Sequence, residues 1–279
     1  MNERNKIVPV RIAGIHNSDS RTREKHMSVI ELNVKDGVAV ITLNRPEAKN
    51  AVNQALAETM ANILDEIESR DDVRVVVLTG AGGSFCAGMD LKAFVAGEKV
   101  VTDDKGFAGF VRANVSKPVI AAVEGYALAG GCELALSCDL IVAASNAKFG
   151  LPEVKRGLVA GAGGLLRLPR QLPYRVAMEL ALTGDMADAQ RMYDLGLINR
   201  LVNQGEAMAG ALELARTIAD NAPLSLQVTK TVIAQQQDWS LDEMFDCQAE
   251  LIGPVMMSED AIEGSRAFAE KRAPVWKNR

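Results

Sequence analysis

Two glycine-rich turns, each following a β-branched apolar run, are the feature that most constrains the fold of this chain. The apolar runs span 73–79 (VRVVVLT) and 117–123 (KPVIAAV), and the turns that follow them span 80–91 and 124–133. Continuous apolar runs of this length are typical of strands buried on both faces, which occur mainly in parallel sheets covered by helices. The pattern predicts an α/β fold in which the two turns follow adjacent strands.

The apolar pattern along the chain predicts three regions. Residues 1–26 are polar and charged without an apolar period, and predict a flexible N-terminal tail. Residues 27–200 alternate strands and helices, beginning with a hairpin around Asp36-Gly37, and predict an α/β core. Residues 201–279 predict a C-terminal helical region, with helices at 205–220, 223–237, 241–252 and 258–271.

The histidine content excludes several kinds of active site. The chain has two histidines, His16 and His26, and both lie in the predicted tail. Ser-His-Asp or Cys-His catalysis and a zinc site with histidine ligands are therefore excluded for residues 27–279. Acid–base chemistry in this part of the chain falls to carboxylates, tyrosine, lysine or cysteine.

Charge and hydropathy argue against nucleic-acid and membrane partners. The net charge is −5, and since residues 1–26 hold six basic and three acidic residues, the remaining 253 carry −8. Residues 27–279 are mildly acidic and have no cluster of basic residues, which argues against a nucleic-acid-binding protein. The sequence has no run of 18 apolar residues and no apolar segment of the signal-peptide kind, so we expect a cytoplasmic protein. The four cysteines form no CxxC pair and are expected to be reduced, several of them buried.

The two glycine-rich turns have backbone features suited to binding an anion. Gly130-Gly131 opens a predicted helix, where bare N–H groups and the helix dipole favour a negative oxygen. Two turns at the ends of adjacent strands can supply two N–H donors to one oxyanion. Neither turn matches the phosphate-binding GxxxxGK[ST] pattern. The alternative is that the glycines serve only the backbone conformation of tight turns.

Two glutamates lie close to these turns in the sequence. Glu133 falls in the first turn of the helix opened by Gly130-Gly131, and Glu153 follows Pro152 in a segment predicted to be extended. Both have a structural alternative, since Glu133 can be favoured by the helix dipole alone and Glu153 can be a solvated loop acid. Asp90 and Asp139 are interpreted as turn or cap residues.

Four ordered stretches resemble the enoyl-CoA hydratase/isomerase (crotonase) family, and the resemblance covers 28–279. The stretches are 40–46, 85–91, 118–133 and 149–167. The segments 258–264, 268–272 and 276–277 are similar to bacterial enoyl-CoA hydratases and carnitinyl-CoA dehydratases in particular. The resemblance implies a crotonase-like spiral of ββα units with a C-terminal helical trimerisation region. It also implies self-association as a trimer or a hexamer built from two trimers.

The resemblance also implies a site for an acyl-CoA thioester. The backbone N–H groups of Met89 and Gly130 would form the oxyanion hole, Glu153 would pass a proton to the α-carbon, and Glu133 would orient the attacking water. Phe268 and Lys271 would act from a neighbouring subunit. No metal and no separate cofactor are implied, because coenzyme A is part of the substrate. The residues implied in substrate and CoA binding are Lys49, Ala51, Ala87, Asp90, Leu91, Gly131, Pro152, Gly161, Phe268 and Lys271.

The activity implied is reversible hydration of a 2-enoyl-CoA to a 3-hydroxyacyl-CoA. An isomerase of the family would usually keep only the Glu153-type acid, so the presence of Glu133 favours a hydratase. A carnitinyl-CoA dehydratase, or another specialised acyl-CoA hydratase or isomerase, is the first alternative, and a non-catalytic acyl-CoA-binding protein is a remote one. Met89 stands where the best-known short-chain hydratases have alanine, and we expect its flexible side chain to reshape the acyl pocket.

Overall fold

A six-stranded, mostly parallel sheet forms the centre of the fold. The computed structural model describes residues 28–279, so the predicted tail at 1–26 lies outside the described residues. Small sheets lie beside the central one. In chain order the strands are β1 Ile30–Lys35, β2 Val38–Leu43, β3 Val75–Gly80, β4 Val101–Thr102, β5 Gly106–Phe107, β6 Val119–Val123, β7 Tyr126–Leu128, β8 Leu140–Ala144, β9 Lys148–Gly150, β10 Ala187–Asp188 and β11 Arg200–Val202.

The strand order in the central sheet is β1-β2-β3-β6-β8-β11. Only β1 and β2 are antiparallel, and the other neighbours are parallel. A second sheet has the order β10-β9-β7, and β4 pairs with β5. The helices are α1 Gln54–Glu68, α2 Leu91–Val95, α3 Gly130–Leu136, α4 Gly164–Gln171, α5 Tyr174–Thr183, α6 Ala189–Asp194, α7 Ala207–Ala219, α8 Pro223–Gln235, α9 Met244–Met256 and α10 Glu259–Glu270.

The predicted hairpin is confirmed, and its turn shows why the sequence forms it. Asp36 and Gly37 both have positive φ angles, 52° and 79°, as a two-residue turn of this kind requires. Lys35 pairs with Val38 across the turn, and the pairing runs to Ile30 and Leu43.

The central sheet is covered by helices on both faces. On one face α1 buries Leu56, Met60, Leu64 and Ile67, which recur at helical spacing. On the other face α7 presents alanines at every fourth position from 207 to 219, and those at 211, 215 and 219 pack against the sheet. The interpretation of 73–79 and 117–123 as doubly buried strands is therefore confirmed by β3 and β6.

The two glycine-rich turns lie side by side because β3 and β6 are neighbours in the sheet. Backbone hydrogen bonds join the turns directly: Phe85 N donates to Glu124 O at 2.8 Å, Cys86 N to Tyr126 O at 2.8 Å, and Leu128 N to Cys86 O at 3.0 Å. The segments after both strands thus form one connected layer at the carboxyl edge of the sheet.

The part of the chain after β11 is helical, as predicted. Helices α7 to α10 follow one another, and α7 packs on the central sheet. The boundary at residue 200 and the trimerisation role of this region stay predictions. No helix within 28–279 is long and apolar enough to cross a membrane.

Candidate active site

One cavity of about 520 Å³ lies where the two glycine-rich turns meet. Four residues predicted to carry the chemistry line it together: Met89, Gly130, Glu133 and Glu153. Four of the residues predicted to bind substrate line it as well: Ala87, Leu91, Pro152 and Gly161.

Two backbone N–H groups at this cavity are free to donate. Within residues 28–279, neither the N–H of Met89 nor that of Gly130 donates a hydrogen bond to a protein group. The two turns approach so closely that a Cβ atom built on Gly88 would lie 3.1 Å from the nitrogen of Gly130. Free N–H groups on adjoining turns form a pair of donors suited to an oxyanion.

The residue before Gly130 holds a strained backbone conformation. Ala129 has φ 51° and ψ −129°, a combination that glycine adopts far more easily than alanine. Its N–H donates to Gly150 O at 2.9 Å, which ties this residue to β9. The strain sets the direction in which the chain enters α3, and with it the direction of the Gly130 N–H.

Glu133 is almost fully buried and is held by backbone donors. Its side chain comes from the first turn of α3, as predicted, and the residue is 3 % exposed. Oε1 accepts hydrogen bonds from Ala162 N at 2.7 Å and from Gly164 N at 2.8 Å. Burial raises the pKa of the Glu133 carboxyl, while the two N–H groups and the charge of Arg167 act in the opposite direction.

Arg167 is a residue of this site that the sequence reasoning missed. Its Nη2 donates to Val111 O at 2.5 Å and its Nη1 to Ala162 O at 3.4 Å, so one guanidinium joins two loops that flank Glu133. Burial lowers the pKa of Arg167, and the charge of Glu133 opposes that effect. The sequence signal that could have identified Arg167 is its spacing: a basic residue four positions after Gly163 lies one helical turn into α4, over the start of that helix.

Glu153 occupies a different backbone conformation from the predicted one. The extended segment predicted around Pro152 is wrong, because Pro152 begins a 3₁₀ helix, Pro152–Arg156, whose first turn suits the fixed φ of proline. Oε2 of Glu153 is buried and has no hydrogen-bond partner within 28–279. Burial raises the pKa of Glu153, and the negative charge of Glu133 adds to the increase. A carboxyl with a raised pKa is suited to both giving and taking a proton.

Several residues predicted to bind CoA lie beside the cavity without lining it. The Lys49 ammonium stands 4.5 Å from the ring centroid of Tyr126. Asp90 caps α2, as interpreted from the sequence, and also forms a 3.0 Å ion pair with Arg45. Arg45 donates to the carbonyl of buried Ala51 as well. Gly131 packs so closely on the carbonyl oxygen of Cys86 that a side chain has no room.

Phe268 and Lys271 are not brought to this cavity within one chain. Phe268 lies in α10 and is 87 % exposed, and Lys271 ends that helix in a left-handed conformation. Their predicted contribution from a neighbouring subunit stays a prediction. The other interpreted cap, Asp139, accepts from Val119 N at 2.7 Å and pairs with Lys230.

Comparison with known proteins identifies the family of the chain. The family model for enoyl-CoA hydratase/isomerase matches residues 33–279. A protein of Escherichia coli O157:H7 named carnitinyl-CoA dehydratase is 42% identical over 258 residues, which cover 90% of this chain and 98% of that protein.

Solved structures show the same fold. An enoyl-CoA hydratase from Mycobacterium marinum matches with a TM-score of 0.89 at 52% identity, over 91% of this chain and all of that one. A carnitinyl-CoA hydratase from Mycobacterium avium matches with a TM-score of 0.73 at 46% identity, with the same coverage. The predicted crotonase-like α/β fold is confirmed, and the chain belongs to the enoyl-CoA hydratase/isomerase family.

Proposed function

We propose that this protein is a 2-enoyl-CoA hydratase, which adds water reversibly to give a 3-hydroxyacyl-CoA. The observation that carries the proposal is the meeting of two glutamates, buried Glu133 and half-buried Glu153, with the free N–H groups of Met89 and Gly130 in one cavity. A family member that only moves a double bond needs one proton carrier, whereas water addition needs a group for the water and a group for the carbon.

The geometry supports a division of roles. The N–H groups of Met89 and Gly130 would bind the thioester oxygen, which becomes negative when water adds to the β-carbon. Glu133, fixed through Oε1, would hold and activate the water. Glu153 would transfer a proton to the α-carbon, and its buried, unpartnered Oε2 is the acceptor available for that exchange. In this scheme the thioester itself activates the β-carbon, so we propose that no metal or separate cofactor takes part.

A carnitinyl-CoA dehydratase is the second candidate. Two of the proteins similar to this chain carry names of that activity, one from Escherichia coli O157:H7 and one from Mycobacterium avium. The chemistry at the α- and β-carbons would be the same, and only the acyl group would differ. The choice between the two candidates therefore depends on the part of the cavity beyond the glutamates.

We also propose the assembly and ligand contacts implied by the family. Residues Lys49, Ala51 and Asp90 would lie along the CoA moiety, and Phe268 and Lys271 would reach a neighbour's site in a trimer or hexamer. Light scattering coupled to size exclusion measures the assembly directly. The cytoplasmic location stays a prediction from the sequence.

The experiment that tests the proposal is hydration of crotonyl-CoA by the wild type and by Glu153→Gln. We expect turnover by the wild type and a loss of kcat of about 100-fold to 10,000-fold in the variant, the range for removing a general acid–base group. The exposed Glu58→Gln on α1 is the matched control and should keep wild-type turnover. Near-wild-type turnover by Glu153→Gln, with hydration established, would contradict the role of Glu153. Thioester binding with no hydration of any enoyl-CoA would contradict the function itself.

A further inference from the structure

Two arginines line the cavity that holds the glutamates. Arg112 comes from the segment after β5, and Arg156 ends the 3₁₀ helix Pro152–Arg156. The carboxylates that line the same cavity are Glu133 and Glu153, both of which the proposed chemistry uses. The remaining lining is almost entirely apolar or backbone, so these guanidinium groups dominate the charge available to a substituent on the acyl group.

Neither arginine is neutralised within the described part of the chain. Both side chains are exposed. No carboxylate in residues 28–279 lies within ion-pair distance of Arg112 or Arg156. The guanidinium of Arg156 donates only to Lys155 O, at 3.2 Å. The Asp104 carboxylate already forms an ion pair with Lys105 at 2.5 Å, and it forms none with either arginine. Two unpaired guanidinium groups at the rim of one cavity create a positive field there.

Chain connections and hydrogen bonds link the segments that carry the two arginines to the segments that carry the glutamates. Arg112 follows Val111, whose carbonyl is joined through Arg167 to Ala162, and Ala162 N donates to Glu133. Arg156 lies three residues after Glu153 on the same short helix. The predicted CoA contacts at Ala87 and Leu91 belong instead to the turn after β3. A substituent on C4 of the acyl group, just beyond the reacting carbons, would therefore extend toward the arginines.

We propose that Arg112 and Arg156 select an acyl group that ends in a carboxylate and disfavour one that carries a quaternary ammonium. This inference rests on the proposed hydratase function and names its substrate class. A guanidinium binds a carboxylate through paired N–H donors, and it repels a fixed cation. The aromatic rings of Phe94 and Phe107 also line the cavity and would attract a quaternary ammonium weakly, but two unpaired positive charges oppose that attraction.

A charge series on one acyl skeleton tests the proposal. The three substrates are 4-substituted crotonyl-CoA thioesters that differ in the C4 group. Glutaconyl-CoA carries a carboxylate, crotonobetainyl-CoA a trimethylammonium, and the tert-butyl analogue is the neutral shape match of the latter. We expect kcat/KM for glutaconyl-CoA to exceed that of the neutral thioester by about tenfold or more, a difference that corresponds to about 1.4 kcal/mol. The cation should be a poorer substrate than its neutral shape match.

The variants Arg112→Gln and Arg156→Gln identify the source of the discrimination. Each should lower the ratio of kcat/KM for glutaconyl-CoA to that for the neutral thioester several-fold, and the double variant should abolish the preference. Arg216→Gln is the matched control, since this exposed arginine lies on α7, on the opposite face of the sheet. It should leave the ratio unchanged.

Three results would overturn the inference. One is a kcat/KM for crotonobetainyl-CoA equal to that for its neutral shape match. Another is an equal loss for all three thioesters in the arginine variants, which would place the guanidinium groups on the phosphates of CoA. The third is an unchanged preference in the double variant. The dissociation constants of the three thioesters give the same comparison without turnover, so a failure of the hydratase function is distinguishable from a failure of the charge selection.

Discussion

The N–H of Gly164 donates a 2.8 Å hydrogen bond to Oε1 of Glu133, and no other residue type fits at position 164 without moving that carboxylate. A Cβ built on Gly164 would lie 2.9 Å from Cγ and 3.1 Å from Oε1 of Glu133. Ala162 N donates to the same oxygen, and within 28–279 no protein group donates to Oε2 of Glu133. The start of α4 is thus the support that fixes the orientation of the Glu133 carboxylate.

Gly164→Ala should lower kcat by about 10-fold to 100-fold, because a displacement of about 1 Å in a reacting group can cost that much. The hydration of an enoyl-CoA measures the effect. Gly253→Ala in α9 is the matched control, since it also lies in a helix and nothing lies within 4 Å of its added Cβ. Equal losses in the two variants would show that the effect is not specific to Glu133.

Gly88→Ala should impair the proposed oxyanion hole at Met89 and Gly130. The added Cβ would lie 3.1 Å from the nitrogen of Gly130 and 2.8 Å from the Cβ of Ala129, so the turn must shift. We expect a loss in kcat of about 100-fold or more, as for removal of one oxyanion donor. Gly97→Ala is the control, because Gly97 also has a positive φ but meets no atom within 4 Å. That variant should lose stability without a matching loss in kcat.

Arg167→Gln should move the acid limb of the kcat/KM profile to higher pH. The guanidinium lowers the pKa of Glu133, so its removal lets the pKa rise further above the usual value of about 4.3. The fraction of ionised carboxylate at a given acidic pH then falls. Because the two glutamates interact, the measured value belongs to the pair. If the acid limb of the kcat/KM profile stays at the same pH while kcat falls equally at every pH, Arg167 only holds the loops together.

Glu153→Gln should stabilise the fold at neutral pH while it removes activity. Burial gives Glu153 a higher pKa in the folded than in the unfolded chain, so the folded chain binds more protons between the two values. Stability therefore falls as the pH rises through that window, and the glutamine variant escapes this loss. We expect its Tm to exceed that of the wild type at pH 7, with the difference vanishing below the unfolded pKa of about 4.3. A lower Tm at pH 7 would contradict the burial argument.

Much of the fold is predictable from local pattern. The hairpin at 36–37, the doubly buried strands and the four C-terminal helices all follow from short-range signals that tertiary contacts did not override. The neighbouring positions of β3 and β6 were also expected, since the turns after both strands carry the same chemistry. The conformation around Glu153 was missed because Pro152 is compatible with both an extended segment and the first turn of a 3₁₀ helix.

The support of the site is not predictable in the same way. Arg167 reaches Val111, 56 positions earlier, and Arg45 reaches Asp90, 45 positions later. Contacts across such distances depend on how the loops pack, and no spacing rule contains them. Ala129 is a similar case, since alanine gives no sign of the φ of 51° that it adopts beside Gly130.

The close contact between Gly131 and the carbonyl of Cys86 has a consequence for how this enzyme can diversify. The contact and the hydrogen bonds between the two turns make the donors at Met89 and Gly130 parts of one rigid body, in which a mutation on either turn disturbs both. Mutational drift toward new substrates is therefore confined to the segments that line the cavity without building the turns, around 94–112 and 154–162. Under the proposed function, descendants of this chain would inherit the same pair of N–H donors and differ in the acyl groups that they accept.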